Sequence, residues 1–271
     1  MSHKKFNGVL LVSDFDGTIY SSELGMIPKN VTAAQYFIEN GGRFTIATGR
    51  THTTFSPFRH TIPQNAPVIL SNGAQTFDFD KNIATQTVNL PESAEQDFVS
   101  LAKELPELGF EVYHGEEIFA YRPNHVTEYH MGIVDGKYTE SNLENIPTPW
   151  LKIIIQQERP LLLEAREELI KRHPTAYEVI FSNPRYLEVT AHGVNKGTAV
   201  ISLAKGYNIL PENIYCMGDN ENDLPMLQYS AVRCAPASSA EVMLATNPQL
   251  FCDCNEGTLA QVVEMLDQRY Q

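Results

Sequence analysis

Two aspartates one residue apart, Asp14 and Asp16, are the first side chains in the sequence that suggest chemistry. They follow a continuous apolar run at 9–13, which predicts a strand buried on both faces. Open α/β sheets carry their active sites at the carboxyl ends of strands, where two carboxylates can bind a metal ion or act as an acid/base pair. The alternative is an ordinary turn capped by the aspartates. The Gly17-Thr18 pair that follows, and the buried strand before it, favour the chemical interpretation.

A second acidic cluster, Gly218-Asp219-Asn220-Glu221-Asn222-Asp223, follows another apolar strand candidate at 214–217. An Asx turn and a helix N-cap would account for some of its residues, Asn222 and Asp223 in particular. A turn and a cap would not explain why two acidic clusters follow strands that are expected to end at the same edge of one sheet. Because hard cations take oxygen ligands, we interpret the two clusters together as parts of a Mg²⁺ site.

Two further segments that follow strand candidates could hold a phosphate group. The hydroxyl of Thr48, the permissive backbone of Gly49 and the guanidinium of Arg50 come after the run at 44–47. The amide of Asn72 and the backbone of Gly73 come after the short apolar run at 68–70, which is also a strand candidate. Each signal is weak alone, since such residues also make ordinary strand exits.

A possible cation for the site is Lys196, at the start of a helix predicted over 196–204. It would lie near the acidic clusters only if this helix packs beside the strand at 214–217. The alternative is a solvated surface lysine.

The elements that must position these residues alternate between strand and helix in the first and last parts of the chain. Strand candidates at 9–13 and 44–47 flank a helix that starts at Pro28 and stops at Gly41-Gly42, which indicates βαβ units and a parallel sheet. The middle of the chain instead has strand candidates in neighbouring pairs, which indicates a partly antiparallel α+β unit. The sequence therefore predicts a parallel α/β core interrupted by a second domain.

Composition excludes several classes of protein. The chain has 271 residues, with 33 acidic and 20 basic side chains and a net charge of −13, which argues against binding nucleic acid or anionic membranes by bulk charge. No apolar run approaches the roughly 20 residues of a membrane span, and the apolar stretch at the N-terminus is too short for a secretory signal. Four cysteines lie in the last quarter of the chain, without the distribution of a disulfide framework, so a reduced cytoplasmic protein is expected.

Two of these cysteines, Cys252 and Cys254, could suggest a zinc site. No second Cys or His pair lies nearby in the sequence, so we expect reduced thiols instead.

Taken in order, the motifs resemble those of the haloacid dehalogenase (HAD) superfamily of phosphohydrolases. The resemblance rests on Asp14-Phe15-Asp16-Gly17-Thr18, Thr48, Lys196 and the loop at 218–223, with no motif residue missing. Within this superfamily, the chain resembles the Cof-type (class IIB) branch, which has a cap domain inserted between the second and third motifs. The residues that carry this closer resemblance are Thr48-Gly49-Arg50 and Asn72-Gly73. The resemblance implies a Rossmann-like parallel-sheet core at 1–83 and 191–271, and an inserted α+β cap at 84–190 that selects the substrate.

The resemblance also implies a mechanism. Asp14 would attack phosphorus and form an aspartyl-phosphate, and Asp16 would serve as general acid and then general base. Mg²⁺ would be held by Asp14, the main-chain carbonyl of Asp16 and Asp219, supported by Asp223 and Asn222. The residues expected to contact the substrate or its phosphate group are Thr48, Gly49, Arg50, Asn72, Gly73, Lys196 and Asn222.

We therefore expect an Mg²⁺-dependent phosphatase for a small phosphorylated metabolite such as a sugar phosphate, with no protein partner implied. The alternatives are a phosphotransferase or mutase that shares the aspartyl-phosphate step, and a non-catalytic sensor of a phosphorylated ligand. The sequence does not identify the leaving group. Cap residues that could contact it are Tyr113, Tyr121, Arg122 and Tyr186, whereas Trp150 is expected to pack inside the cap.

Overall fold

The computed structural model describes residues 4–271 of the chain. Its strands, in chain order, are β1 (Leu10–Ser13), β2 (Tyr20–Ser21), β3 (Gly25–Met26), β4 (Arg43–Ile46), β5 (Val68–Leu70), β6 (Gln75–Asp78), β7 (Ile83–Thr87), β8 (Gly109–His114), β9 (Glu117–Tyr121), β10 (Thr139–Glu140), β11 (Lys152–Gln156), β12 (Tyr177–Asn183), β13 (Tyr186–Ala191), β14 (Ile214–Met217), β15 (Arg233–Pro236) and β16 (Gln249–Phe251). Its α-helices are α1 (Pro28–Glu39), α2 (His52–Phe55), α3 (Ala94–Glu104), α4 (His125–Val134), α5 (Arg159–Arg172), α6 (Lys196–Gly206), α7 (Leu224–Leu227), α8 (Glu241–Leu244) and α9 (Thr258–Arg269).

The core sheet has the strand order β16-β15-β14-β1-β4, and every pairing in it is parallel. Strand β1 lies between β14 and β4, with Leu10 opposite both Ile214 and Arg43. Side chains of a strand alternate between the two faces, and here Leu11 packs in one apolar cluster while Leu10 and Val12 pack in another. Helices therefore cover both faces, as a parallel sheet requires, and the predicted α/β core is confirmed.

Strand β5 does not join the core sheet as a full member. It pairs antiparallel with β6, which pairs with β7, and its backbone is linked to the core sheet through a parallel bridge between Ala47 and Ile69. The chain reverses at Ser71, Asn72 and Gly73, which all have positive φ angles of 50°, 53° and 100°. This tight reversal sends the next segment back along β5 as a hairpin.

The second large sheet, which with α3, α4 and α5 we call the cap, has the strand order β10-β9-β8-β11-β13-β12. All its pairings are antiparallel except β10 with β9, which agrees with the predicted α+β unit. The expected boundary at 83–84 falls inside β7, which pairs with β6, and the expected boundary at 190–191 falls at the end of β13. We propose that the cap begins after β7.

Strict alternation gives the cap sheet one apolar and one polar face. Phe110, Ile153 and Leu187 pack with α3 and α5 in the cap's apolar cluster, where the buried Trp150 also lies, as expected. The opposite face carries buried side chains that can hydrogen-bond, namely Glu111, Tyr113, Lys152, Gln156, Tyr186 and Glu188. This polar face is the one that borders the cavity described below.

Between residues 4 and 271, the helices lack the combination of length and apolar character that crossing a membrane requires.

Candidate active site

A cavity of about 600 Å³ separates the carboxyl edge of the core sheet from the polar face of the cap. The predicted site residues that line it are Asp14, Asp16, Thr48, Gly49, Arg50, Asp219 and Asn222. The cap residues that line it include Tyr113, His130, Lys152, Tyr186 and Glu188. The space is suited to one small molecule held between two domains.

At the core side of the cavity, carboxylate oxygens of Asp14, Asp219 and Asp223 lie within 4.8 Å of one another. The parallel pairing of β1 with β14 brings them together, and the N–H of Asp14 donates to Met217 O at 2.9 Å. Close approach also depends on Gly17, whose φ is +78° and where a β-carbon would lie 2.8 Å from Asp219 Oδ2. Two sequence motifs far apart in the chain thus form one acidic cluster.

Lys196 is the cation of this cluster. Its Nζ donates to Asp14 Oδ1 and to Asp223 Oδ1, both at 2.6 Å, and the residue is fully buried. The helix α6 begins at Lys196 with Asn195 as N-cap, and it packs so tightly on α7 that a β-carbon at Gly197 would lie 2.3 Å from Pro225 O. The helix therefore does lie beside β14, and a solvated surface position for Lys196 is excluded.

The other oxygen of Asp223 is also occupied, because Oδ2 accepts the backbone N–H groups of Asp219 at 3.0 Å and Asn220 at 3.1 Å. Asp223 thereby fixes the shape of its own loop. Thr18, whose Oγ1 donates to Asp219 Oδ1 at 3.0 Å, holds the third carboxylate from the opposite side.

Three close carboxylates and one ammonium leave the cluster short of positive charge. Burial raises the pKa of Asp14 well above its usual value, and the neighbouring Asp223 and Asp219 add to this, although Lys196 opposes it. Burial and Asp223 raise the pKa of Asp219 to about 7, against the hydrogen bond from Thr18 and the charge of Lys196. Without a metal ion, ionising all three carboxylates is unfavourable because they repel one another. A hard divalent cation, which takes oxygen ligands, would offset this repulsion, so the cluster fits such a cation.

The carboxylate of Asp16 lies outside this cluster. It forms a two-pronged ion pair with Arg50, whose Nε and Nη2 each donate to one Asp16 oxygen at 2.8 Å. Arg50 is buried and its guanidinium also stacks 4.6 Å from the ring centroid of Phe58. The structure shows this ion pair with Asp16, and because Arg50 also lines the cavity its contact with phosphate stays a prediction.

The remaining predicted phosphate contacts lie at different depths. Thr48 is buried, and its Oγ1 accepts the N–H of Arg50 at 3.1 Å. Asn222 Nδ2 donates to Asn72 Oδ1 at 3.0 Å, while Asn72 Nδ2 is buried and has no hydrogen-bond partner in the described part of the chain. Gly73 is not among the residues that line the cavity; a β-carbon there would sit 2.4 Å from Asn195 O, so the glycine lets the loop pack against the start of α6, and its contact with the substrate stays a prediction.

The cap contributes site residues that the sequence did not reveal. Lys152 Nζ donates to Glu188 Oε2 and to the main-chain oxygen of Gly49, both at 2.9 Å, so this buried ion pair sits directly on the predicted phosphate loop. Burial of the Glu188 carboxyl opposes ionisation, but Lys152 and the hydrogen bonds it accepts hold its pKa below the usual value. The signal that could have found the pair is the presence of charged residues within otherwise apolar strands.

Of the cap residues considered from the sequence, Tyr113 and Tyr186 line the cavity. Arg122 instead donates to the main-chain oxygens of Ala102 and Pro106, and Tyr121 packs against the cap's apolar cluster.

Comparison with known proteins agrees with this geometry. The sequence profile of a family described as haloacid dehalogenase-like hydrolase matches residues 11–262. The chain is 23% identical over 239 residues to the 5-amino-6-(5-phospho-D-ribitylamino)uracil phosphatase YcsE of Bacillus subtilis, covering 88% of this chain and 87% of that protein. It is 18% identical over 265 residues to the pyridoxal phosphate phosphatase YbhA of Escherichia coli, covering 94% and 97%.

Solved structures show the same fold. A haloacid dehalogenase-like hydrolase from Bacteroides thetaiotaomicron matches with a TM-score of 0.80 and 21% identity, over 95% of this chain and 99% of that one. A structure described as the HAD subclass IIB sugar phosphatase BT4131 matches with a TM-score of 0.82 and 19% identity, over 96% and 99%. The likeness extends over both the core and the cap.

Proposed function

The chain belongs to the haloacid dehalogenase-like hydrolases and is a phosphatase of that family, and from this premise we propose that it hydrolyses a small phosphomonoester with Mg²⁺ through an aspartyl-phosphate. The observation that carries the proposal is the contrast between its two aspartates. Asp14 lies in a cluster with Lys196 and Asp219, whereas Asp16 is held outside it by Arg50. One carboxylate is thus placed beside the ammonium of Lys196, and the other lines the cavity outside the acidic cluster.

Asp14, Asp219 and the main-chain carbonyl of Asp16 would hold the metal ion, with Asp223 behind them. When bound, the ion would supply positive charge that reduces the repulsion between an anionic carboxylate and an anionic phosphate. Lys196 supplies further positive charge from the protein itself, and the unpartnered amide of Asn72 and the hydroxyl of Thr48 add hydrogen-bond donors near the same wall.

The reaction then has two displacements. An oxygen of Asp14 bonds to phosphorus while the bond from phosphorus to the ester oxygen breaks, and Asp16 gives that oxygen its proton. In the second step Asp16 takes a proton from water, whose oxygen bonds to phosphorus and releases Asp14 and inorganic phosphate. Arg50 holds the ionised Asp16 carboxylate by two hydrogen bonds, which orients it as the base of the second step; when Asp16 carries the proton that it donates in the first step, this pairing must weaken.

A small metabolite is favoured as the substrate. The cavity of about 600 Å³ is bounded on one side by the cap, and a volume of this size suits a small leaving group. The names of the relatives YcsE and YbhA each describe a phosphatase for a small phosphorylated compound.

The direct test is Mg²⁺-dependent release of inorganic phosphate from p-nitrophenyl phosphate. We expect Asp14→Asn to abolish the release, because the amide is a poor nucleophile, and Asp80→Asn, at an exposed aspartate, to leave it unchanged. Trapping of a phosphorylated wild-type chain by rapid acid quench would identify the intermediate. Equal activity in Asp14→Asn would disprove the assignment, and transfer of phosphate to an added alcohol without phosphate release would indicate a phosphotransferase instead.

A further inference from the structure

A buried carboxylate and an imidazole form a pair on the cap side of the cavity. His130 of α4 places Nδ1 2.8 Å from Glu111 Oε2 and 3.0 Å from Oε1. Glu111 is fully buried on the polar face of the cap sheet, and the His130 side chain is only 12% exposed, yet it lines the cavity. The proposed chemistry on Asp14 and Asp16 makes no use of this pair.

The surroundings of Glu111 define which nitrogen of His130 carries a proton. The carboxylate also accepts from Tyr113 Oη at 2.8 Å and from Gln156 Nε2. The amide of Gln156 cannot be reversed, because reversal would place its oxygen against an oxygen of the Glu111 carboxylate; in the orientation present, that oxygen accepts from Thr127 Oγ1 at 2.6 Å. Since the carboxylate only accepts, His130 Nδ1 must be the donor, which leaves Nε2, without a hydrogen-bond partner among the described residues, as the ring nitrogen that can bind a ligand.

The position of His130 is fixed as firmly as its tautomer. Its ring packs 4.9 Å, centroid to centroid, from the ring of Tyr186, which also lines the cavity. Lys152 and Glu188 lie on the same face of the sheet, one strand and two strands away from Glu111 respectively. The Glu111 carboxylate already accepts hydrogen bonds from the buried donors Tyr113 and Gln156. A histidine that served only as a further donor to Glu111 would not need to line the cavity.

We propose that His130 is a specificity-determining residue that binds a hydroxyl group of the leaving group, with Glu111 as its positioning residue. The inference rests on the proposed function, since it assumes that phosphate sits at Asp14 and that the rest of the substrate extends toward the cap. A neutral imidazole with a proton on Nδ1 accepts a hydrogen bond at Nε2, and a hydroxyl group is the donor that a small polyhydroxylated phosphate provides. The substrate class is therefore a monophosphate of a polyol or sugar rather than of a hydrocarbon or aromatic alcohol.

The test compares two substrates in the full-length enzyme. One is p-nitrophenyl phosphate, and the other is the sugar or alditol monophosphate with the highest kcat/KM in a panel. We expect His130→Asn, which keeps a donor to Glu111 but removes the group at Nε2, to lower the ratio of kcat/KM for the hydroxylated substrate to that for the aryl phosphate by about tenfold. His130→Gln, which returns an acceptor to the end of the side chain, should recover part of this ratio.

The control is His125→Asn, at an exposed histidine of the same helix, which should leave both activities unchanged. For Glu111→Gln we expect a lower ratio together with a smaller share of the Nδ1-protonated tautomer in the ¹⁵N NMR spectrum of His130, because a neutral amide oxygen holds the Nδ1 proton more weakly than a carboxylate does. A deoxy analogue of the best substrate should lose no further activity in His130→Asn.

The outcomes separate the inference from the proposed function. Absence of Mg²⁺-dependent hydrolysis of any ester by the wild type would refute the proposed function. Hydrolysis with an unchanged ratio in His130→Asn, or a wild type that prefers p-nitrophenyl phosphate to every hydroxylated ester, would overturn the role of His130 and leave the phosphatase function intact.

Discussion

Lys196 and Asp14 form a buried ion pair, with 2.6 Å between Nζ and Oδ1, although the entire cap separates them in the sequence. The same Nζ also binds Asp223 at 2.6 Å, so one ammonium group links the proposed nucleophile to the loop that completes the acidic cluster. We expect Lys196 to contribute to both catalysis and stability, because its removal would leave two buried carboxylates without their cation.

We accordingly predict that Lys196→Met loses both activity and stability. The rate should fall by at least about 100-fold, since a preorganised cation is removed from the phosphate site. The free energy of unfolding, measured by urea denaturation without metal, should fall by about 3–5 kcal/mol because buried charges lose their partner. Lys205→Met, at the exposed end of the same helix, should change neither quantity. Wild-type stability in Lys196→Met would contradict the buried pairing.

Metal binding should be visible as a gain in stability that depends on Asp219. At a Mg²⁺ concentration 100 times the Kd, the wild type should gain about 2.7 kcal/mol in the free energy of unfolding. Asp219→Asn should gain much less, because one charged ligand of the cluster is lost, whereas the exposed Asp80→Asn should gain as much as the wild type. Thermal unfolding with and without Mg²⁺ measures this difference. Equal stabilisation of Asp219→Asn would place the metal elsewhere.

The ion pair between Arg50 and Asp16 predicts a dependence on the leaving group. Arg50→Met should slow hydrolysis of alkyl phosphates about tenfold more than that of p-nitrophenyl phosphate, because a poor leaving group needs a correctly oriented proton donor. Single-turnover kinetics with both esters would measure the difference, and Arg233→Met, at an exposed position on β15, is the control. An equal loss on both esters would show that Arg50 acts on phosphate rather than through Asp16.

Lys152 and Glu188 predict a pH-dependent contribution to stability. The folded-state pKa of Glu188 is below its usual value, so the pair stabilises the protein above the unfolded pKa of about 4.3 and loses this effect as the pH falls through the folded pKa. At pH 7, Lys152→Met should destabilise the protein by about 3–5 kcal/mol, since it leaves a buried carboxylate unpaired. The difference from the wild type should shrink below about pH 4.3.

Urea unfolding at several pH values tests this, with Lys137→Met at an exposed cap lysine as the control. A destabilisation that is independent of pH would mean that Lys152 contributes through packing alone.

The sequence predicted the core side of the site well, because Asp14 and Asp219 each follow a short apolar strand and parallel strands end at one edge. The ion pair of Arg50 with Asp16 could not be predicted, since the sequence alone does not show which side chain a guanidinium faces. The cap side was harder still. Glu111 and His130 lie on different elements, a strand and a helix, and only their packing joins them.

The hairpin of β5, β6 and β7 shows a similar limit. The apolar run at β5 predicted a strand correctly, but its partner depended on the backbone reversal at Ser71 and Asn72. Two successive non-glycine residues with positive φ are rare, so local preference gave no warning of the reversal.

The placement of the cap within the chain has a consequence for how the molecule forms during synthesis. Strand β1 finds its neighbour β14 only after the whole cap has been made, whereas all cap strands lie in one continuous stretch. Contacts between distant segments form late, because the chain must first close the loop between them. We therefore expect the cap to fold on the growing chain while β1, which can already pair with β4, still lacks β14 on its other side, so that the catalytic pocket is the last part to assemble.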